Sequence, residues 1–317
     1  GDLPQADVLQ ALRHEADRPD ADSARHQHGA LRTLGHGERV AERADKADLL
    51  AGLHLGQVAC PGADDVVEDA EARRLPGTAH DPVHGKISPY HPSADGALSL
   101  REHHVGAAIM PTAGREIISG TLTSAKDPTQ VIDFNPEGNA FRAHGARVMN
   151  PQELHELHPD GDYVFSYETQ SGHMDRQVIN LAKRDTIEQM PVAAAVTLSQ
   201  EASDASLVEI NPDSDLLISW EPMPGNTRVA SSDLDDLIFV LVFDCFGNNV
   251  AHSGRPYQGG PYLTYKDARY VVDSAKLNPG LKYMAIVEQA TADVSIFQGV
   301  PGIATYATLT FVDFQTS

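Results

Sequence analysis

The chain has 317 residues, 41% of them hydrophobic but only 6% aromatic, a length that suits two compact domains or one large domain with an appendage. Its 45 acidic and 24 basic residues give a formal net charge of -21, which repels phosphates and excludes nucleic acid as an expected partner. No apolar run approaches the roughly 20 residues that cross a bilayer, and the two cysteines, Cys60 and Cys245, are too few for a disulfide framework; nothing in their spacing supports a bridge, and whether they pair stays open.

In chain order, residues 1–86 come first and stand apart. They contain no Ile, Met, Phe, Tyr, Trp or Asn, and Ala, Arg, His, Asp, Leu and Gly make up most of them. Such a segment can bury little beyond Ala, Val and Leu, too little to offset roughly 1–2 kcal/mol of backbone entropy per ordered residue. Disorder or weak helices over Ala6 to Ala16 and Gly37 to Leu55 are the expectation. The same alphabet arises when GC-rich DNA is read in the wrong frame, so an alternative reading begins the authentic product between Lys86 and Met110. The first residues form neither a charged n-region nor an apolar h-region; any signal peptide is expected to have been removed or to lie outside this sequence.

From Ile87 onward the texture changes to short β-rich runs between turn signals. Strands are predicted over Glu116 to Thr123, Gln130 to Phe134, Tyr163 to Thr169, Gln177 to Leu181, Val192 to Leu198, Leu216 to Trp220, Leu237 to Phe243, Arg269 to Asp273, Tyr283 to Glu288 and Ala304 to Phe314. Gln152 to Leu157, after Asn150-Pro151, is the one predicted helix.

An internal echo organises these runs. Leu157-His158-Pro159-Asp160-Gly161-Asp162-Tyr163 matches Leu277-Asn278-Pro279-Gly280-Leu281-Lys282-Tyr283 in its Leu, Pro and Tyr spacing, and a Glu follows each Tyr by five residues. The pattern predicts two tyrosine corners, with each Leu plugging a core and each Tyr hydroxyl bonding back to the turn. Two corners 120 residues apart imply two sandwiches, 87–190 and 191–317, behind the 1–86 segment. The fold class expected is all-β, as tandem antiparallel β-sandwiches.

The second copy carries a family pattern. Leu216-Leu217-Ile218-Ser219-Trp220-Glu221-Pro222, the Leu277 to Tyr283 corner and Ala304 to Thr310 resemble the second strand, the corner and the last strand of a fibronectin type III domain, within the wider immunoglobulin-like architecture. The resemblance covers about Pro191 to Ser317 and implies a fold but no activity. It further implies the company of modules in exported bacterial proteins, which act as spacers, adhesive units or carbohydrate-binding accessories. The stretch Asp244 to Lys266 is longer than that family places there, and function is commonly grafted onto such loops.

That stretch holds Tyr257, Tyr262 and Tyr265, three of the nine tyrosines. Their flat apolar faces and polar tips suit stacking on a sugar ring or a partner protein, or else covering the sandwich edge. A second candidate is His155, His158, Asp160 and Asp162: two imidazoles three apart on a helical turn, with carboxylates close behind, can offer ligands to zinc. A third ligand such as His144 or His173 would be needed, and Pro159-Asp160-Gly161 also reads as an ordinary turn. The runs Asp213-Ser214-Asp215 and Asp233-Leu234-Asp235-Asp236 could supply oxygens to calcium but lack EF-hand spacing.

There is no nucleophile elbow, H-E-x-x-H, Walker loop or dinucleotide fingerprint. The resemblance to fibronectin type III-like modules implies, as the function expected, non-catalytic binding or scaffolding, secreted or at the cell surface, with a protein or carbohydrate ligand. The alternative is a metal-dependent or hydrolytic enzyme with a site near His155 and His158.

Overall fold

Alternation of apolar and polar side chains decides most of the architecture, because an extended backbone sends successive residues to opposite faces. A computed structural model describes residues 81–93, 96–110, 117–137, 140–170, 172–181, 191–200, 203–204, 209–223, 234–257, 260–297 and 300–317. All of them belong to the larger of the chain's two units, Lys46–Ser317. The expectations for residues 1–80 lie outside the described residues, as does the boundary segment 182–190.

The first half runs β1 (Asp81–Pro92), β2 (Leu98–Leu100), β3 (His103–Met110), β4 (Ile117–Ser124), β5 (Val131–Asp133), β6 (Asn135–Glu137), β7 (Ala140–Val148), helix α1 (Pro151–Leu157), β8 (Gly161–Thr169) and β9 (Gly172–Leu181). The second half runs β10 (Val196–Gln200), β11 (Ser203–Asp204), β12 (Leu216–Trp220), β13 (Leu237–Asp244), β14 (Asn249–His252), β15 (Leu263–Thr264), β16 (Arg269–Val272), β17 (Lys282–Ala290), β18 (Asp293–Phe297) and β19 (Val300–Gln315). The described residues are all-β apart from α1 and a 3-10 turn at Ser274–Lys276. Strand structure is already present at Asp81, ahead of Ile87, with residues from Asp81 onward paired in a sheet.

These strands form one eleven-stranded sheet and two four-stranded sheets. The large sheet runs β14-β13-β17-β19-β1-β3-β7-β6, with β15, β18 and β2 pairing alongside. The small sheets are β5-β4-β8-β9 and β11-β10-β12-β16. The two β-rich regions are thus not separate bodies: they share a sheet. Its seam is β19, which pairs antiparallel with β17 from Ala307 to Gln315 and parallel with β1 from Ile303 to Thr310. A parallel contact uses edges that would otherwise leave a row of backbone donors and acceptors unpaired.

Parity along β19 distributes the cores. Ala304 and Tyr306 join a cluster with Tyr163, Phe165, Tyr167, Ile179 and Leu181 of the first small sheet. Val312 and Phe314, on the same face, join Leu198, Leu216, Ile218, Trp220 and Val272 of the second. The odd residues Ile303, Ala307, Leu309 and Phe311 face the other way, into a third cluster with Met284, Ile286 and Leu237. Each small sheet therefore packs on the same side of the large one, and burial of these side chains supplies the main stabilising term.

Both tyrosine corners are present, with opposite hydrogen-bond roles. The Tyr163 hydroxyl donates to the Pro159 carbonyl at 2.9 Å, whereas the Tyr283 hydroxyl accepts from the Asn278 N–H at 2.6 Å. Leu277 is buried as expected. Leu157 is not: it is 41% exposed, and Leu154 fills the core in its place. The reason is local, since α1 runs up to Leu157 and its one buried position is a turn earlier. Asn150 caps α1, its side chain accepting from the Gln152 N–H at 2.9 Å, with Pro151 in the first turn.

Cys245 is disulfide-bonded, a point that spacing had left open. Cys60, the other cysteine of the chain, lies outside the described residues. Among the described residues no helix is long and apolar enough to cross a membrane.

Candidate functional site

The tyrosine loop grows out of β14 and is held at its root. Gly254 has φ 91°, a left-handed conformation that favours glycine. A side chain there would also run into the Pro261 carbonyl, leaving a carbon 3.0 Å from the Pro261 carbonyl carbon. The Gly254 N–H donates to His252 Nδ1 at 2.8 Å. Burial and the nearby Arg255 hold the His252 imidazole down to about 4, so it is neutral and can accept that bond. The Tyr270 hydroxyl donates to the His252 carbonyl at 3.2 Å, and the Arg255 guanidinium lies 6.0 Å from the Phe239 ring centre.

On the far side of the loop, β15 pairs with β13, the Tyr265 N–H donates to the Asp236 carbonyl at 2.9 Å, and Lys266 pairs with Asp235 at 2.9 Å. Between these anchors Tyr257 is 47% exposed and Tyr262 38% exposed. Tyr257 also holds a positive φ of 64°, uncommon for a bulky residue. Tyr265 differs: it packs against the second core cluster, with the Lys266 ammonium 5.3 Å from its ring centre. The loop thus divides its tyrosines, two displayed and one structural. Residues 258–259 lie outside the described residues.

The histidine and aspartate candidates converge on a residue that sequence reasoning missed. Lys86 of β1 directs its ammonium to Asp160 Oδ1 at 2.6 Å and lies 3.3 Å from His155 Nδ1. His155 Nδ1 is in turn 3.7 Å from Asp160 Oδ1. His158 turns elsewhere, its Nε2 accepting from the Ala146 N–H at 3.0 Å; burial first, and Lys86 second, lower its pKa. Asp162 accepts from Asn180 Nδ2 and is not part of the group. Among the described residues, no group of three or more His, Cys, Asp or Glu side chains is placed to hold a metal ion. The cation between His155 and Asp160 is the ammonium of Lys86.

His84, two residues before Lys86 on the same face of β1, was also missed. It is fully buried against Tyr163, ring centres 4.0 Å apart. A usable signal existed in the alternation of His84, Lys86, Ser88 and Tyr90 with Val83, Gly85, Ile87 and Pro89, the period of a strand.

The other candidates perform local structural tasks. His144 contacts Glu137 at 2.9 Å, and His173 lies in β9 opposite Glu168. Asp215 accepts from the Ser274 N–H at 2.9 Å, the Asp213 N–H donates to Asn211 Oδ1 at 3.0 Å, and buried Asp236 accepts from the Ala292 N–H at 3.1 Å. Asp233 lies outside the described residues. Ser253 Oγ accepts from the Val240 N–H at 2.9 Å while His252 Nδ1 accepts from Gly254, so the adjacent serine and histidine make no activated pair. In comparison with known proteins, no family model and no curated protein matches the chain.

Proposed function

We propose that the protein is a non-catalytic binding or scaffold module of a cell exterior, with Tyr257 and Tyr262 as its contact surface. The observation that carries this reading is the exposure of those two rings on a loop braced at Gly254, His252 and Asp236. A braced loop loses little conformational freedom when a ligand docks, and an exposed tyrosine offers an apolar face and a hydrogen-bonding tip to a sugar or a protein. Tyr265 belongs to the framework rather than to the contact.

In the second half, β10, β12 and β16 form one layer, β14, β13, β17 and β19 the other, and Trp220 is buried between them with its Nε1 donating to the Asp267 carbonyl at 3.1 Å. In the first half, β1, β3, β7 and β6 face β5, β4, β8 and β9. This is consistent with two immunoglobulin-like sandwiches, the second resembling fibronectin type III, and favours a spacer or adhesive role.

The test is a glycan array probed with the full chain, followed by Tyr257→Ala and Tyr262→Ala. Binding lost in both variants at unchanged melting temperature supports a carbohydrate contact through these rings. Binding that survives both substitutions removes them from the contact surface. Silence across the array removes the carbohydrate ligand and leaves the scaffold role.

A further inference from the structure

The Lys86–Asp160 pair has the arrangement of two reactants. The side chains are 5% and 4% exposed, with Nζ and Oδ1 2.6 Å apart, and the two residues are 74 positions apart in the chain. Each is anchored on its own side of the core. Lys86 sits in the middle of β1, its backbone in register with Tyr306 of β19 and Val105 of β3. Asp160 directly precedes β8 in the facing sheet, next to Pro159, whose carbonyl accepts from the Tyr163 hydroxyl.

We propose that Lys86 and Asp160 condense into an intramolecular amide, an isopeptide bond that joins the large sheet to the small sheet across the first core. Holding two groups in contact in one orientation replaces a bimolecular encounter by a unimolecular step, worth many orders of magnitude in effective concentration. The surroundings favour the uncharged amine that reacts. The Tyr306 ring centre lies 5.8 Å from Nζ, and Tyr163 and neutral His84 line the same core. Taking both charges of an ion pair into such a site is costly, whereas an amide carries no charge. Burial lowers the pKa of the Lys86 amine against the raising effect of Asp160, which increases the fraction of nucleophilic free amine.

His155 is the proton carrier. Its Nδ1 is 3.3 Å from Nζ and 3.7 Å from Oδ1, and its side chain is 42% exposed, so it reaches both reacting groups and solvent. The imidazole takes a proton from the ammonium and passes it to the carboxylate. The free amine then attacks Cγ of Asp160, forming the N–C bond. The imidazole moves the second amine proton to the departing hydroxyl, the C–O bond breaks, and water leaves. Ammonium and carboxylate become amide plus one water, with no change of oxidation state and no co-reactant.

The experiment is intact-mass measurement of the full chain after reduction and denaturation, followed by protease mapping. The expected mass is one water below that of the sequence, with a branched peptide joining Lys86 to Asp160. Lys86→Arg and Asp160→Ala should each restore the sequence mass, and His155→Ala should slow the conversion measurably after synthesis. A wild-type chain at its full sequence mass overturns the proposal. So does a water loss that maps to a succinimide at Asp160-Gly161 with Lys86 in a separate peptide. Conversion at an unchanged rate in His155→Ala overturns the role of that residue. The wild-type arm does not depend on any variant folding.

Discussion

The imidazole of His84 lies against the ring of Tyr163, centres 4.0 Å apart and planes tilted by 44°, inside a core that also contains Phe165 and Ile179. Neither ring nitrogen has a hydrogen-bond partner of ordinary geometry. Burial first, then repulsion from a protonated His158 and from Lys86, bring its pKa down from 6.5 to about 3, opposed by the Gly106 backbone.

A histidine buried in its neutral form makes the fold acid-sensitive. Between pH 6.5 and about 3 the unfolded chain binds a proton at this position and the folded chain does not. Stability is therefore intact above the unfolded value and is lost as pH falls towards the folded one, at about 1.4 kcal/mol per pH unit for each such histidine. His104, also lowered to about 3, adds to the same window. Urea unfolding at a series of pH values should show the decline, and His84→Phe, which keeps a ring beside Tyr163, should flatten it. An unchanged slope in His84→Phe would sink this account.

The two corner tyrosines predict unequal losses. Tyr283→Phe leaves the Asn278 N–H without its acceptor, whereas Tyr163→Phe leaves a carbonyl, Pro159, without one donor. An orphaned donor is the costlier of the two. Expected losses are about 1.5 kcal/mol for Tyr283→Phe and about 0.5–1 kcal/mol for Tyr163→Phe, read from chemical denaturation midpoints at constant m.

The seam between β1 and β19 is tight at one glycine. A Cβ on Gly85 would overlap the Thr305 side chain and lie 2.7 Å from the Thr305 carbonyl oxygen. Its cross-strand partner on the other side, Gly106, would meet only the flexible Cδ1 of Ile87 at 3.2 Å. Gly85→Ala should cost about 3 kcal/mol and Gly106→Ala well under about 1.5 kcal/mol. Equal effects in thermal melts would mean that backbone entropy, not the close approach of Thr305, governs both positions.

Removing the first β-rich region exposes what it covers. In a fragment of residues 191–317, β19 loses its parallel partner from Ile303 to Thr310, and Tyr306, buried in the first core, loses its neighbours. A bare edge beside apolar side chains invites association. Size-exclusion chromatography should find this fragment dimeric or aggregated, with the full chain as reference. A stable monomeric fragment would show that the seam contributes little.

Much of the fold was legible because its signals are local. The predicted runs from Gln130 through Phe314 overlap strands, although the Val192 to Leu198 run meets β10 only from Val196 on; α1 begins where Asn150-Pro151 said it would, and both corners form their hydroxyl bonds. Strands β3 and β7 were missed because small residues and histidines dominate them, leaving Val105, Ile109 and Val148 as their β-branched residues, too sparse to read as a strand pattern. At the tyrosine loop, composition marked the place, but only burial separated Tyr265, packed on the core, from exposed Tyr257 and Tyr262.

The sequence by itself determined the strand class, the turns and the two corners, since each depends on residues within a few positions of one another. Only the tertiary structure decided that the two β-rich regions share a sheet, because the pairing of β1 with β19 joins Val83 to Ile303, more than two hundred residues apart. The same distance effect applies to the candidate site. Spacing put His155, His158, Asp160 and Asp162 together on one short segment, but the folded chain brings Lys86 from another strand between His155 and Asp160, and a buried charge takes its partner from across the core rather than from along the chain.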